Sequence, residues 1–170
     1  IYSDDHVTLS GDGARFDADA AYLGKNSQTI DYNIVADHFG KKTESLITVN
    51  GALTDSAKKV FRGTIDFKKG SADSVGSENE TVLMLGDDVV NKTVPLILCA
   101  EENVEGTHGA TIGELDADTM FYFESRGIDR ETAEKIMAYA AVERLIHMAE
   151  DSEFAAVAEK AMGIKTDTEE

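Results

Sequence analysis

Up to about Asp116 the dominant period of apolar and polar positions is two, and no helical period intervenes. Phe16, Ala18, Ala20 and Tyr22 oppose Asp17 and Asp19. Ile30, Tyr32, Ile34 and Ala36 alternate with Asp31, Asn33, Val35 and Asp37, and Phe61, Gly63, Ile65 and Phe67 with Arg62, Thr64 and Asp66. That spacing puts one set of side chains on each face of an extended strand. Leu46–Val49, Thr81–Leu85 and Val94–Ala100 add less strictly alternating segments. Strands begin roughly every 14 to 17 residues and are separated by turn residues, as in Gly11-Asp12-Gly13, Gly24-Lys25-Asn26, Lys68-Lys69-Gly70 and Gly86-Asp87-Asp88. Such a series fits a sandwich, a barrel or a β-solenoid. Asn-Gly and Asp-Gly hairpin signals are mostly missing between the strands, and Asn50-Gly51 falls inside one, which leans toward a solenoid whose turns stack on one another. Periodicity alone leaves all three open.

From Asp116 the period is helical. Asp116 is suited to cap a helix over Ala117–Arg126, ended by Gly127. Asp129 caps a longer helix with Glu131 in its first turn and an expected apolar face of Ala133, Ile136, Met137, Ala140, Ala141, Leu145 and Met148. Asp151 or Ser152 starts a third helix that runs to Met162, before Gly163. The expected division is a β-body over 1–114, a helical subdomain over 115–163, and an acidic, disordered tail over 164–170.

Sixteen Lys and Arg stand against 33 Asp and Glu, a formal net charge of −17. That balance gives no basic footprint for nucleic acid and repels anionic membranes. No apolar run approaches the length of a membrane-spanning helix. A single cysteine, Cys99, excludes an internal disulfide and points to a reducing compartment, here taken as the cytoplasm. The chain opens on Ile1, mid-strand and without a signal-peptide pattern, so a fragment of a longer protein is expected.

Enzyme signatures are missing. Gly106-Thr107-His108-Gly109-Ala110-Thr111 has glycines but lacks the lysine of a phosphate loop. Gly11-Asp12-Gly13 with Asp17 and Asp19 reads as a turn before a strand rather than a calcium loop. His6 and His147 have no context that singles them out, and His38 ends an alternating strand. His108 differs, because small residues on both sides allow a second backbone or a metal to come close. The residues alone still leave a structural role open for it. Cys99 lies in Leu96-Ile97-Leu98-Cys99-Ala100, where a buried small hydrophobe is the default. One cysteine cannot build a four-thiolate cluster site within one chain.

The run Val104–Asp116 followed by Phe121-Tyr122-Phe123-Glu124-Ser125-Arg126-Gly127-Ile128 resembles the SufB/SufD family signature, close to "HGATxGxLDxxxxFYxxSRGI". Upstream, Val60–Ile65 is similar to the family's "vFkGkI" strand, and Asp37-His38 with Thr43-Glu44-Ser45 to its "dH…teS" segment. The resemblance spans nearly the whole chain. It implies a right-handed parallel β-helix with a C-terminal helical subdomain. It also implies a non-catalytic scaffold role in SUF iron–sulfur cluster assembly, with a SufC-type ABC ATPase docked on the helices. A SufB/SufD-type partner, or a second copy of the chain, would pair along the β-helix edge. By the same resemblance, His108 is the metal and interface candidate, holding a transient cluster shared across chains. Cys99 is a substitute thiolate candidate for it. Phe121, Tyr122, Arg126 and Ile128 are ATPase-docking candidates, with at least one of Phe121 and Tyr122 expected in the core.

Two positions depart from the pattern. Gly106 stands where SufD-like relatives often have cysteine, and Gly109 where SufB-type relatives tend to have an acid. Two other readings remain: a β-helix carbohydrate-active enzyme recruiting Asp17, Asp19, Asp31 or Asp37, and a purely structural interaction module.

Overall fold

The computed structural model describes residues 1–148 and 150–162. The acidic tail expected over 164–170 lies outside the described residues. Among those residues the chain forms eight strands followed by three helices. The strands are β1 (Tyr2–Leu9), β2 (Arg15–Gly24), β3 (Thr29–His38), β4 (Glu44–Thr54), β5 (Lys58–Phe67), β6 (Ser74–Leu85), β7 (Val90–Cys99) and β8 (Val104–Gly113). The helices are α1 (Ala117–Ser125), α2 (Arg130–Met148) and α3 (Ser152–Met162).

Every strand pairs in parallel with the strand two ahead of it. One sheet runs β1-β3-β5-β7 and the other β2-β4-β6-β8. The chain is therefore a β-solenoid of about four turns, two strands to a turn, with three helices after it. This settles the choice left open by periodicity: a sandwich or barrel of hairpins would pair neighbours antiparallel. The turn length is set by the pairing. Thr29 lies opposite Lys58 and Lys58 opposite Val90, so successive turns take 29 and 32 residues.

Stacked corners hold this spacing. Gly13 (φ 72°), Lys42 (φ 56°) and Asp73 (φ 63°) occupy the same corner in three successive turns, each left-handed. Gly13 N–H donates to Lys41 O at 2.8 Å, Lys42 N–H to Ala72 O at 2.9 Å, and Asp73 N–H to Asn103 O at 2.7 Å. Asn26 and Asp55 form a second left-handed corner, where the Asp55 carboxylate accepts from Asn26 N–H at 2.7 Å. Short polar side chains tolerate this backbone region, and such side-chain bonds stabilise it.

The inward phase of the strands fills the space between the sheets. Ile30, Ile34, Ala36, Ile47, Val49, Leu53, Phe61, Ile65, Phe67 and Val82 are buried there. His38 belongs to the same core: Nδ1 meets Thr43 Oγ1 at 2.8 Å, Nε2 meets Ser45 Oγ at 2.9 Å, and the ring packs on Phe67. Both nitrogens are bonded, and burial lowers its pKa, so this histidine is a neutral core residue.

Charged groups also enter the interior. Lys59, Glu78 and Glu80 are buried on the inward phase of β5 and β6. Lys59 Nζ bonds the Glu80 carboxylate, lies 3.3 Å from Thr93 Oγ1, and sits over the Tyr22 and Phe61 rings. Burial lowers the Lys59 pKa while Glu80 opposes that shift.

Asp116 caps α1, accepting from Thr119 N–H at 2.6 Å, and Gly127 (φ 77°) follows its end, as expected from the sequence. The face of α2 differs from the expected one. Its buried residues are Ala133, Ala138, Val142 and Ile146, while Ile136 and Met148 are exposed. Ala138, Val142 and Ile146, spaced four apart, form one ridge that lies against the second sheet, where α2 crosses β2, β4 and β6. Arg144 anchors that docking through an ion pair with Asp19.

Lys59→Met should cost about 3–5 kcal/mol in urea unfolding, because Glu80 is left as an uncompensated buried charge. Lys59→Met with Glu80→Met should recover most of that loss. A single mutant as stable as the parent would contradict this description of the interior.

Candidate functional site

β8 is the last strand of its sheet, and β6 is its sole partner strand among the described residues. His108 sits midway along it, in register with Glu78 on β6. β8 carries no strand signal of its own, because Gly106, Gly109 and Gly113 interrupt the alternation. Parallel pairing over ten positions, Ser74–Val104 to Leu83–Gly113, supplies the order instead.

The His108 side chain retains 25% of its exposure, and its Nδ1 lies 3.2 Å from Glu78 Oε1. Glu78 is fully buried. That approach is within ion-pair reach but off hydrogen-bond alignment, so neither carboxylate oxygen of Glu78 has a hydrogen bond among the described residues. Tyr22 Oη and Asn91 Oδ1 are the other buried side-chain atoms in that condition. Gly63 makes room for the carboxylate: a Cβ there would collide with Glu78 Oε1, Oε2 and Cδ. Burial pushes the Glu78 carboxyl up to about 7, repulsion from Glu80 adds to the rise, and Lys59 opposes it.

Residues 1–141 match the profile described as SUF system FeS cluster assembly, SufBD core domain. The chain belongs to the SufB/SufD family. It is 31% identical over 137 residues to the iron–sulfur cluster assembly protein SufD of Bacillus subtilis, covering 81% of this chain and 31% of that relative. It is 30% identical over 88 residues to the SufD of Escherichia coli, covering 52% and 21%. A chloroplastic iron–sulfur cluster assembly SufBD family protein of Arabidopsis thaliana is 26% identical over 159 residues, covering 94% and 28%. The chain thus spans less than a third of the length of these curated relatives.

The remaining candidates fall in three places. Cys99 is exposed at the end of β7, in register with Phe67. Gly63, beside the Glu78 carboxylate, pairs with Pro95, so Cys99 lies four residues, about 13 Å, further along the strand. His108 and Cys99 therefore share the last turn without sharing a site. Among the described residues no group of three or more His, Cys, Asp and Glu side chains is gathered to hold a metal ion. The Gly106 departure has a packing correlate: a Cβ there would meet Ile97 Cγ2 at 2.7 Å and Phe67 at 3.2 Å, so Ile97 fills the space a longer side chain needs.

Phe121 and Tyr122 are both exposed, at 72% and 53%, which corrects the expectation that one of them is core. Met120 takes the buried position of α1 instead, because one helical stripe alone faces inward. Arg126 caps the helix end and lays its guanidinium on the Tyr122 ring, 4.6 Å from the centroid. Ile128 is half-buried. The carboxylates considered for a glycosidase are each committed to a cation: Asp17 to Arg15, Asp19 to Arg144, Asp31 to Arg62, and Asp37 to Lys68, with His6 Nε2 also 2.7 Å from Asp37.

Lys59, Glu78 and Glu80 were missed as interior residues. The available signal was a charge in the apolar phase: Lys59 is in step with Phe61 and Ile65, and Glu78 and Glu80 with Val82.

An unfolded glutamate titrates near 4.5, whereas folded Glu78 keeps its proton to about 7. Between those values the folded state binds more protons, so stability falls as pH rises across the window. Glu78→Gln should therefore stabilise the chain by about 3 kcal/mol at pH 8 and by close to nothing at pH 4. Urea midpoints at the two pH values check this, and equal midpoints for mutant and parent at pH 8 would refute it.

Proposed function

We propose that the chain is part of a non-catalytic scaffold subunit of the SUF iron–sulfur cluster assembly system. The observation that carries this reading is the open last turn: β7 and β8 each end a sheet, and His108 lies on the uncovered strand. An uncovered edge presents unpaired backbone groups, and a second SufB/SufD-type chain or a second copy would satisfy them by continuing the sheets. Val94, Leu96 and Leu98 on the outer face of β7 are exposed and supply apolar surface beside that edge. Pairing there brings His108 to the seam, where its imidazole holds iron of a nascent cluster shared between the chains. The cluster is cargo of the assembly, and Cys99, on the same turn but about 13 Å further along the strand, lies outside the reach of His108. The single cysteine, which leaves no internal disulfide, supports a reducing compartment, read here as the cytoplasm.

The helices over 115–163 are the docking unit for a SufC-type ABC ATPase, and the solenoid over 1–114 is the pairing unit. Support for this division comes from the apolar side chains left exposed on the helices, among them Phe121, Tyr122, Ile136, Phe154 and Val157. Exposed apolar side chains on the helices of a strongly acidic chain supply apolar surface for a partner to cover.

His108→Ala should leave the melting temperature nearly unchanged and lower iron–sulfur enzyme activity in a complemented cell by about tenfold or more. Normal activity in that strain would remove His108 from the site. Phe121→Asp should abolish co-purification with the ATPase without destabilising the fold, since the ring is exposed. Undiminished co-purification would place the ATPase contact elsewhere.

A further inference from the structure

Glu78 is a puzzle in a family scaffold. A carboxylate buried without a hydrogen bond is among the costlier groups a fold can hold. The sequence could have avoided it with an apolar residue at an interior position. Instead Gly63 is left without a side chain and the carboxylate occupies that space. His108 Nδ1 lies 3.2 Å from its Oε1, on the neighbouring turn. Lys59 and Thr93 give their hydrogen bonds to Glu80, and Lys59 reaches Glu78 only through its charge.

We propose that Glu78 is the positioning residue of His108, holding the imidazole from inside the solenoid so that Nε2 is the nitrogen presented at the open edge. Closing that 3.2 Å approach into a hydrogen bond would have the carboxylate accept the Nδ1 proton, which fixes the tautomer and leaves the lone pair on Nε2. Carboxylates behind metal-binding histidines act in this way, orienting the ring and raising its basicity. The two residues face each other because β6 and β8 pair in register, and the pairing sets the ring against the carboxylate with no loop in between. The inference rests on the reading of His108 as a metal-holding residue, and its test separates the two.

The full chain is labelled with ¹⁵N, and the tautomer of His108 is read from long-range ¹H–¹⁵N correlations at pH 8. The parent should show a proton on Nδ1. Glu78→Gln, which keeps the shape and removes the charge, should shift the proton toward Nε2. It should also weaken Zn(II) binding, measured against a competing chelator, by about tenfold or more. A merely structural Glu78 would leave the tautomer where it was. Gly63→Ala displaces the carboxylate by a second route and should weaken Zn(II) binding to a similar extent. Glu78→Gln decides alone if the alanine variant does not fold. An unchanged His108 tautomer with unchanged Zn(II) affinity in Glu78→Gln overturns the proposal. His108→Ala that binds Zn(II) as the parent does would overturn the metal role of His108, while the tautomer shift would still establish Glu78 as its positioning residue.

Discussion

The parallel ladder between one turn and the next is the constraint on which the rest of this protein depends. Each strand receives its backbone partners from the chain 29 to 32 residues away, so every residue's neighbours on its face are set by register. A side chain on the inward phase is stacked on the equivalent side chain of the adjacent turn. That is why Ala36, Ile65 and Ile97 stack from turn to turn into a continuous core, and why Glu78 and His108 meet although 30 positions separate them. Corner geometry serves the ladder. The left-handed residues Gly13, Lys42 and Asp73 let the chain reverse at the same height in successive turns.

Much of this architecture was legible in the sequence, for identifiable reasons. Period-two alternation survives wherever one face is buried, so β2, β3 and β5 could be read directly. The helix caps at Asp116 and Asp129 and the stop at Gly127 are local signals that need no tertiary context. β8 was illegible because its order comes from pairing with β6, and its own glycines carry no periodic signal. The α2 face was misread because two apolar stripes share the helix, and what selects Ala138, Val142 and Ile146 is the sheet they meet. His108 was found through family resemblance. Its partner Glu78 was not, because a glutamate beside an exposed Asn79 looks like surface until register turns it inward.

The interior charges give the solenoid two distinct kinds of polar group. Lys59 and Glu80 compensate each other, with Thr93 completing the cluster, and form a closed unit. Glu78 is left out of that unit and faces the one imidazole on the open turn. Glu78 and Glu80 lie two residues apart on β6. Their difference is in whether the partner lies within the core or at its rim.

A stack of this kind is close to one-dimensional, since each turn leans on its immediate neighbours alone. The last turn, β7 and β8, has one such neighbour where β3–β6 have two. The free energy needed to open it locally is therefore the smallest in the solenoid body at that end, and its amides exchange with solvent before those of the inner strands. His108 and Cys99 both lie in that loosest layer. Covering the edge would tighten them without any change in their own chemistry.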